Sequence, residues 1–159
     1  MKKMILALTL GLLAVGFATR TALTHCQIPC GIYDDPARFT EMREHLTTVE
    51  KSMTVINQLA AEAANGETPN VNQMVRWVSN KEEHADQFSE IVTHYFMTQR
   101  IKPAAAEDQA AYGKYVKEVT LLHQMLVLSM KAKQTTDLAH VQALRTLLKD
   151  FETSYLAGK

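Results

Sequence analysis

The stretch DPARFTEMREHLTTVEKSMTVINQLAAEAAN, residues 35–65, decides the fold class. Phe39, Met42, Leu46, Val49, Met53, Ile56 and Ala60 recur at steps of three and four. That spacing lays one apolar stripe along one face of an α-helix. Asp35-Pro36 predicts the start, as an N-cap followed by proline at the first helical position. Gly66-Glu67-Thr68-Pro69-Asn70 predicts the break after about Asn65, with Gly66 near the C-cap and Pro69 just beyond it.

Downstream, the same period predicts three more helices. The second runs from about Asn70 to Arg100, with a stripe of Val71, Met74, Val78, Ala85, Phe88, Val92 and Tyr95, a polar interruption at Lys81-Glu82, and an end at Lys102-Pro103. The third runs from about Ala105 to Lys133, with a stripe of Tyr112, Tyr115, Val119, Leu122, Leu126 and Met130. Thr135-Thr136-Asp137 forms a turn and cap. The last helix carries Leu138, Val141, Leu144, Leu148, Phe151 and Tyr155 and ends before Gly158. No strand-like alternation appears. Four amphipathic helices with short connections predict an all-α, antiparallel up-down-up-down four-helix bundle over residues 35–157. A helix of 30 residues is ~45 Å long, so the first two should form a long hairpin.

Upstream, the character changes twice. Lys2-Lys3 is a positive start, and Met4 to Ala18 is almost wholly apolar, broken by Thr9. That run suits a signal-peptide core and is short for a membrane span. Thr19 to Thr24 is polar, and Ala22 and Thr24 place small residues at −3 and −1 of a cleavage before His25. Residues 1–24 read as a removable leader, with an uncleaved anchor as the alternative. The leader points to export, to the periplasm or outside the cell; a cytoplasmic protein with a cleaved propeptide is the other reading. Three of the 17 basic residues lie in the leader, which leaves 14 against 17 acidic ones in a 135-residue remainder. That length suits one domain with a sizeable core, and a net charge of −3 gives nucleic acid no basic patch. Membrane contact is expected only through the leader. Mild acidity gives an anion no global attraction, so any steering is local.

Between leader and bundle lies His25-Cys26-Gln27-Ile28-Pro29-Cys30-Gly31-Ile32-Tyr33-Asp34, which holds both cysteines of the chain. Two cysteines with three residues between them admit a disulfide, a metal site or a redox-active thiol pair. A histidine directly before the first cysteine, at the expected new terminus, points to metal. The free α-amine, the Cys26 amide nitrogen and the Cys26 sulfur can form two fused five-membered chelate rings, and Cys30 can close a square. Such nitrogen and sulfur donation favours Ni(II) or Cu(II). Two thiolates and an ionised amide bring Ni(III) within reach, and the His25 imidazole could bind axially in that state.

The run His-Cys-x-x-Pro-Cys-Gly-x-Tyr-Asp resembles the nickel hook of nickel-containing superoxide dismutases, and the likeness continues into Lys81-Glu82-Glu83-His84-Ala85 and Lys102-Pro103. The resemblance implies a superoxide dismutase on a helical bundle, with one nickel ion per subunit held by His25, Cys26 and Cys30. It implies a cis Ile28–Pro29 bond, and a Tyr33 that stands over the open face of the metal, orders water and restricts access. It implies that Glu41 hydrogen-bonds the terminal imidazole, and that His84 stands where some relatives carry a supporting arginine. It further implies a homohexamer, a maturation protease and a nickel donor. Lys102 matches a lysine before proline in relatives, but one extra residue precedes it here.

Plainer readings stand beside these: Tyr33 packed on the bundle end, Glu41 as a solvated charge, His84 on a helix surface. His45, His94, His123 and His140 read as surface or interface histidines. An exported copper chaperone or thiol-redox protein using CxxxC is the competing function. Copper chaperones of that kind generally need strands around the motif. A bundle with a disulfide-closed N-terminal loop is a third reading.

Overall fold

The structure, a computed structural model, describes residues 33–157. The first helix, α1, spans Asp35–Ala64. Its cap is Asp34, not Asp35: the Asp34 carboxylate accepts from the Ala37 amide at 2.9 Å. Asp35 is already inside the helix, and its side chain turns to other work. The helix ends as its sequence requires. Gly66 has φ +90, and Gly66 N–H and Glu67 N–H donate back to Ala63 O and Glu62 O, both at 3.2 Å. This paired closure needs a left-handed residue, which glycine adopts without a Cβ clash.

The second helix, α2 (Val71–Glu90), runs without interruption into a π-helical segment, Ile91–Arg100. Asn70 caps its start by accepting from Gln73 N–H. In the π segment the bonding shifts to five residues, and Ile101 N–H donates to Phe96 O at 2.9 Å. Such wide turns hold an extra residue inside a helix, which fits the one-residue excess noted before Lys102. The third helix, α3 (Gln109–Gln134), starts four residues later than expected because Asp108 is its cap. The fourth, α4 (Leu138–Leu156), starts on Asp137 as expected.

Cross-helix pairs give the topology. Along α1 and α2, Asp35 meets Arg100, His45 meets His84 and Ser52 meets Asn80. One number rises as the other falls, so the pair is antiparallel. Arg43–Glu152 and Glu50–Arg145 give the same for α1 and α4. Asp86–Lys133 and Ser89–Ser129 give it for α2 and α3, and Glu118–Ser154 for α3 and α4. The four helices form an up-down-up-down bundle, and the described residues contain no strand.

The core follows the expected stripes of α1 and α4 closely. Phe39, Met42, Leu46, Val49, Met53 and Ile56 are buried, as are Val141, Leu144, Leu148, Phe151 and Tyr155. Ala60 and Leu138 are exposed, because α1 at 30 residues overhangs the 19-residue α4. The start of α2 overhangs with it, which leaves Val71 and Val78 of the expected stripe, and Val75 beside them, exposed.

The α3 stripe is corrected. Its buried positions are Glu118, Leu122, Met125, Ser129 and Ala132, while Tyr112 and Met130 are exposed. This helix is apolar on more than one face, and close packing on α2 selects the face with small residues. Ser129 Oγ donates to Ala85 O at 2.9 Å, and Ser89 Oγ donates to Ser129 Oγ at 3.0 Å.

Lys81 is also corrected, from an interruption to a core residue at 4 % exposure. Its ammonium donates to the carbonyls of Ala132 and Thr135 at 3.1 Å each, and to that of Lys133. These belong to the end of α3, where carbonyls lack helical partners and the helix dipole favours a cation. Glu82 at 3.3 Å balances the charge. Lys81→Met keeps the stem and removes this cap. It should cost about 1–3 kcal/mol in urea unfolding, and an unchanged midpoint would refute the capping role.

Candidate functional site

The bundle end that carries the N-terminus of α1 is built on aromatic packing. Phe96 of the π segment lies 5.0 Å from Phe39 and 4.9 Å from Phe151, the latter edge-on at 86°. Tyr95 and Tyr155 are buried beside them. Buried tyrosines need partners for their hydroxyls, and Asp35 supplies them. Tyr95 donates to Asp35 Oδ1 at 2.6 Å and Tyr155 to Oδ2 at 3.0 Å. Arg100 donates to the same two oxygens from Nε and Nη2, both at 2.9 Å, in a bidentate pair. Burial, and then the bond to Asp35, push the Tyr95 phenol well above its ordinary range. Arg100 is likewise held more firmly charged, chiefly by Asp35.

Tyr33 rests on this platform. The Arg100 guanidinium lies 4.4 Å from its ring centre, the Tyr95 ring meets it edge-on at 6.0 Å, and its hydroxyl donates to Gln99 Oε1 at 3.3 Å. The ring is still 40 % exposed, so one side stays open to solvent.

From Tyr95 a line of contacts leads to the other candidate residues. Arg38 lies 5.5 Å from the Tyr95 ring centre and pairs with Glu41 at 2.5 Å. Glu41 Oε1 is 4.0 Å from His45 Nε2. His45 Nδ1 is 2.9 Å from His84 Nδ1. Tyr33, Glu41 and His84 thus share one connected set, although they lie on two helices and a leading segment. His45 is the member sequence reasoning missed. Of the surface and interface readings the second applies: its side chain, at 12 % exposure, joins Glu41 to His84 between α1 and α2. Its position on the face next to the stripe, one turn from Glu41, was the available signal. Arg38 Nε is buried with no hydrogen-bond partner among the described residues.

The Nδ1–Nδ1 contact needs one hydrogen between the rings, so one ring donates and the other accepts. Burial lowers the His45 pKa from 6.5, His84 adds to this, and Glu41 and Glu44 oppose it. Below that ordinary value the unfolded chain therefore binds the proton more readily. Stability from His45 is complete above pH 6.5 and is lost as pH falls through the lower folded value. Urea midpoints from about pH 7 to about pH 5 should fall less steeply in His45→Leu than in wild type, by at most ~1.4 kcal/mol per pH unit. Parallel curves would exclude a depressed His45.

His25, Cys26, Pro29 and Cys30 lie outside the described residues, and with them the expected ligands and the expected cis bond. Among the described residues, no group of three or more His, Cys, Asp or Glu side chains could hold a metal ion. Both cysteines fall at 26 and 30, so any thiolate donors to a metal come from that segment. Amide and thiolate donors of that segment suit Ni(II) or Cu(II).

The sequence pattern of one family, nickel-containing superoxide dismutase, matches residues 20–159. No curated protein and no solved structure matches the chain significantly. The match spans the His-Cys-x3-Cys segment, Tyr33 and the whole bundle. The chain accordingly belongs to the nickel-containing superoxide dismutases, oxidoreductases that act on superoxide with a nickel cofactor.

Proposed function

We propose that the protein is exported, is cut between Thr24 and His25, and disproportionates superoxide at one nickel ion per subunit. Two superoxide anions and two protons yield one dioxygen and one hydrogen peroxide. The observation that carries the reading is His-Cys-x3-Cys at 25–30, directly behind a leader of signal-peptide composition, in a chain of this family. The His25 amine and imidazole, the Cys26 amide and thiolate, and the Cys30 thiolate would hold the metal. Bound there, nickel supplies one-electron chemistry by alternating between Ni(II) and Ni(III).

The side chains of the bundle do the rest. Tyr33 limits access to small molecules and orders water over the site. Glu41 accepts a hydrogen bond from the His25 imidazole and fixes its orientation, with Arg38 holding the carboxylate. His84 supports Glu41 through His45, in the place where relatives carry an arginine; such partners of ligands set metal affinity and activity. A homohexamer belongs to the same proposal. The exposed row of Val71, Val75 and Val78 favours a contact between copies.

Mass spectrometry of the native protein tests the reading. It should find His25 as the first residue, two free thiols and one nickel, and light scattering should find six subunits. Active protein that retains residue 1, or carries a Cys26–Cys30 disulfide, would defeat it. Copper bound tightly without turnover would favour the chaperone instead.

A further inference from the structure

Tyr33 is the one proposed gate residue that the described structure ties to the bundle, and two consecutive residues of the π segment do the tying. In an α-helix, neighbours diverge by about 100°; i→i+5 bonding puts more residues in each turn and narrows that angle. Gln99 and Arg100 can therefore both address Tyr33. The Gln99 amide is orientated by its own partner: Nε2 donates to the His94 carbonyl at 2.9 Å. A carbonyl can only accept, so Oε1 must face Tyr33, and the Tyr33 hydroxyl must be the donor in that pair. Its 3.3 Å length makes it a weak bond, which sets direction more than it adds strength. Arg100 supplies the firmer hold, stacked on the Tyr33 ring and itself locked on Asp35 by two bonds.

We propose that Gln99 and Arg100 are positioning residues for Tyr33, which fix its ring and commit its hydroxyl proton to the Gln99 carbonyl oxygen. The oxygen then offers only lone pairs to any further partner. Tyr33 orders water by accepting hydrogen bonds, and it does not donate to superoxide while this contact stands. The inference rests on the reading of Tyr33 as the gate given above.

A double-mutant cycle on processed, nickel-loaded protein tests it, with Tyr33→Phe, Gln99→Met and the pair. Gln99→Met keeps length and loses the amide. Each single variant should slow dismutation by ~3–10-fold, and the double variant should be no slower than Tyr33→Phe alone. In metal-free protein labelled with 3-fluorotyrosine, the Tyr33 fluorine resonance is recognised by its loss in Tyr33→Phe. It should shift and narrow in Gln99→Met and in Arg100→Lys, with helical content unchanged. An unshifted resonance in both variants overturns the positioning claim, as do penalties that multiply in the double variant. In either case the gate reading stands if Tyr33→Phe is slow. A Tyr33→Phe enzyme of full activity overturns the gate reading and this inference together.

Discussion

Replacing Cys26 by serine should abolish nickel-dependent dismutation and leave the bundle standing. A serine hydroxyl does not ionise near neutral pH, whereas a thiol beside a metal does, and sulfur is the softer donor. On the proposed ligand set, the variant would lose one sulfur ligand and with it charge that would make Ni(III) accessible. Removing only the hydrogen-bond partner of a ligand costs ~10–100-fold in affinity or activity, so losing the ligand should cost more than about 100-fold. Among the described residues, the buried apolar ones lie on the helices and the short link before α3, so helical content and the urea midpoint should match wild type. Nickel content and dismutation rate, measured on the same preparation, decide the matter. Full activity in Cys26→Ser would remove this residue from the ligand set.

Asp35→Ala should be the most damaging single change to stability at the bundle end that carries the N-terminus of α1, at about 3–5 kcal/mol. It strips Arg100 of its carboxylate and leaves the hydroxyls of Tyr95 and Tyr155 without the acceptor they now share. The neighbouring Asp34→Ala removes a helix cap, which costs typically ~1 kcal/mol. Urea unfolding of the two variants therefore separates two roles for adjacent aspartates. Equal midpoints would mean that the Asp35 cluster contributes nothing beyond capping. Since Arg100 carries Tyr33, Asp35→Ala should also loosen that ring and lower the dismutation rate.

Much of this was legible before any coordinates. The α1 and α4 stripes, the break at Gly66 and the cap at Asp137 are local: each depends on residues within a few positions of one another. The family also shows in a local run, from His25 to Asp34. What sequence reasoning misread has a common origin. Asp35 and Asp34 are equally good caps by residue type, and only Arg100, 65 residues on, shows which one is otherwise engaged. Lys81 reads as polar because its partners are carbonyls 51–54 residues away. His45 and His84 are unremarkable singly and become a pair only across the α1–α2 contact. On α3, apolar residues populate several faces, so periodicity could not choose among them. The π segment escaped notice because a change from four- to five-residue bonding leaves the apolar pattern almost intact.

By itself, then, the order of residues determined four helices, where each begins and ends to within a few positions, and the family to which the chain belongs. The tertiary structure decided which polar side chains enter the core, how far the first hairpin overhangs the second, and what holds Tyr33. The physical reason is that helix formation and capping act over one or two turns, whereas burial and ion pairing depend on how far each helix slides along its neighbour. That offset is set by the packing of all four helices at once.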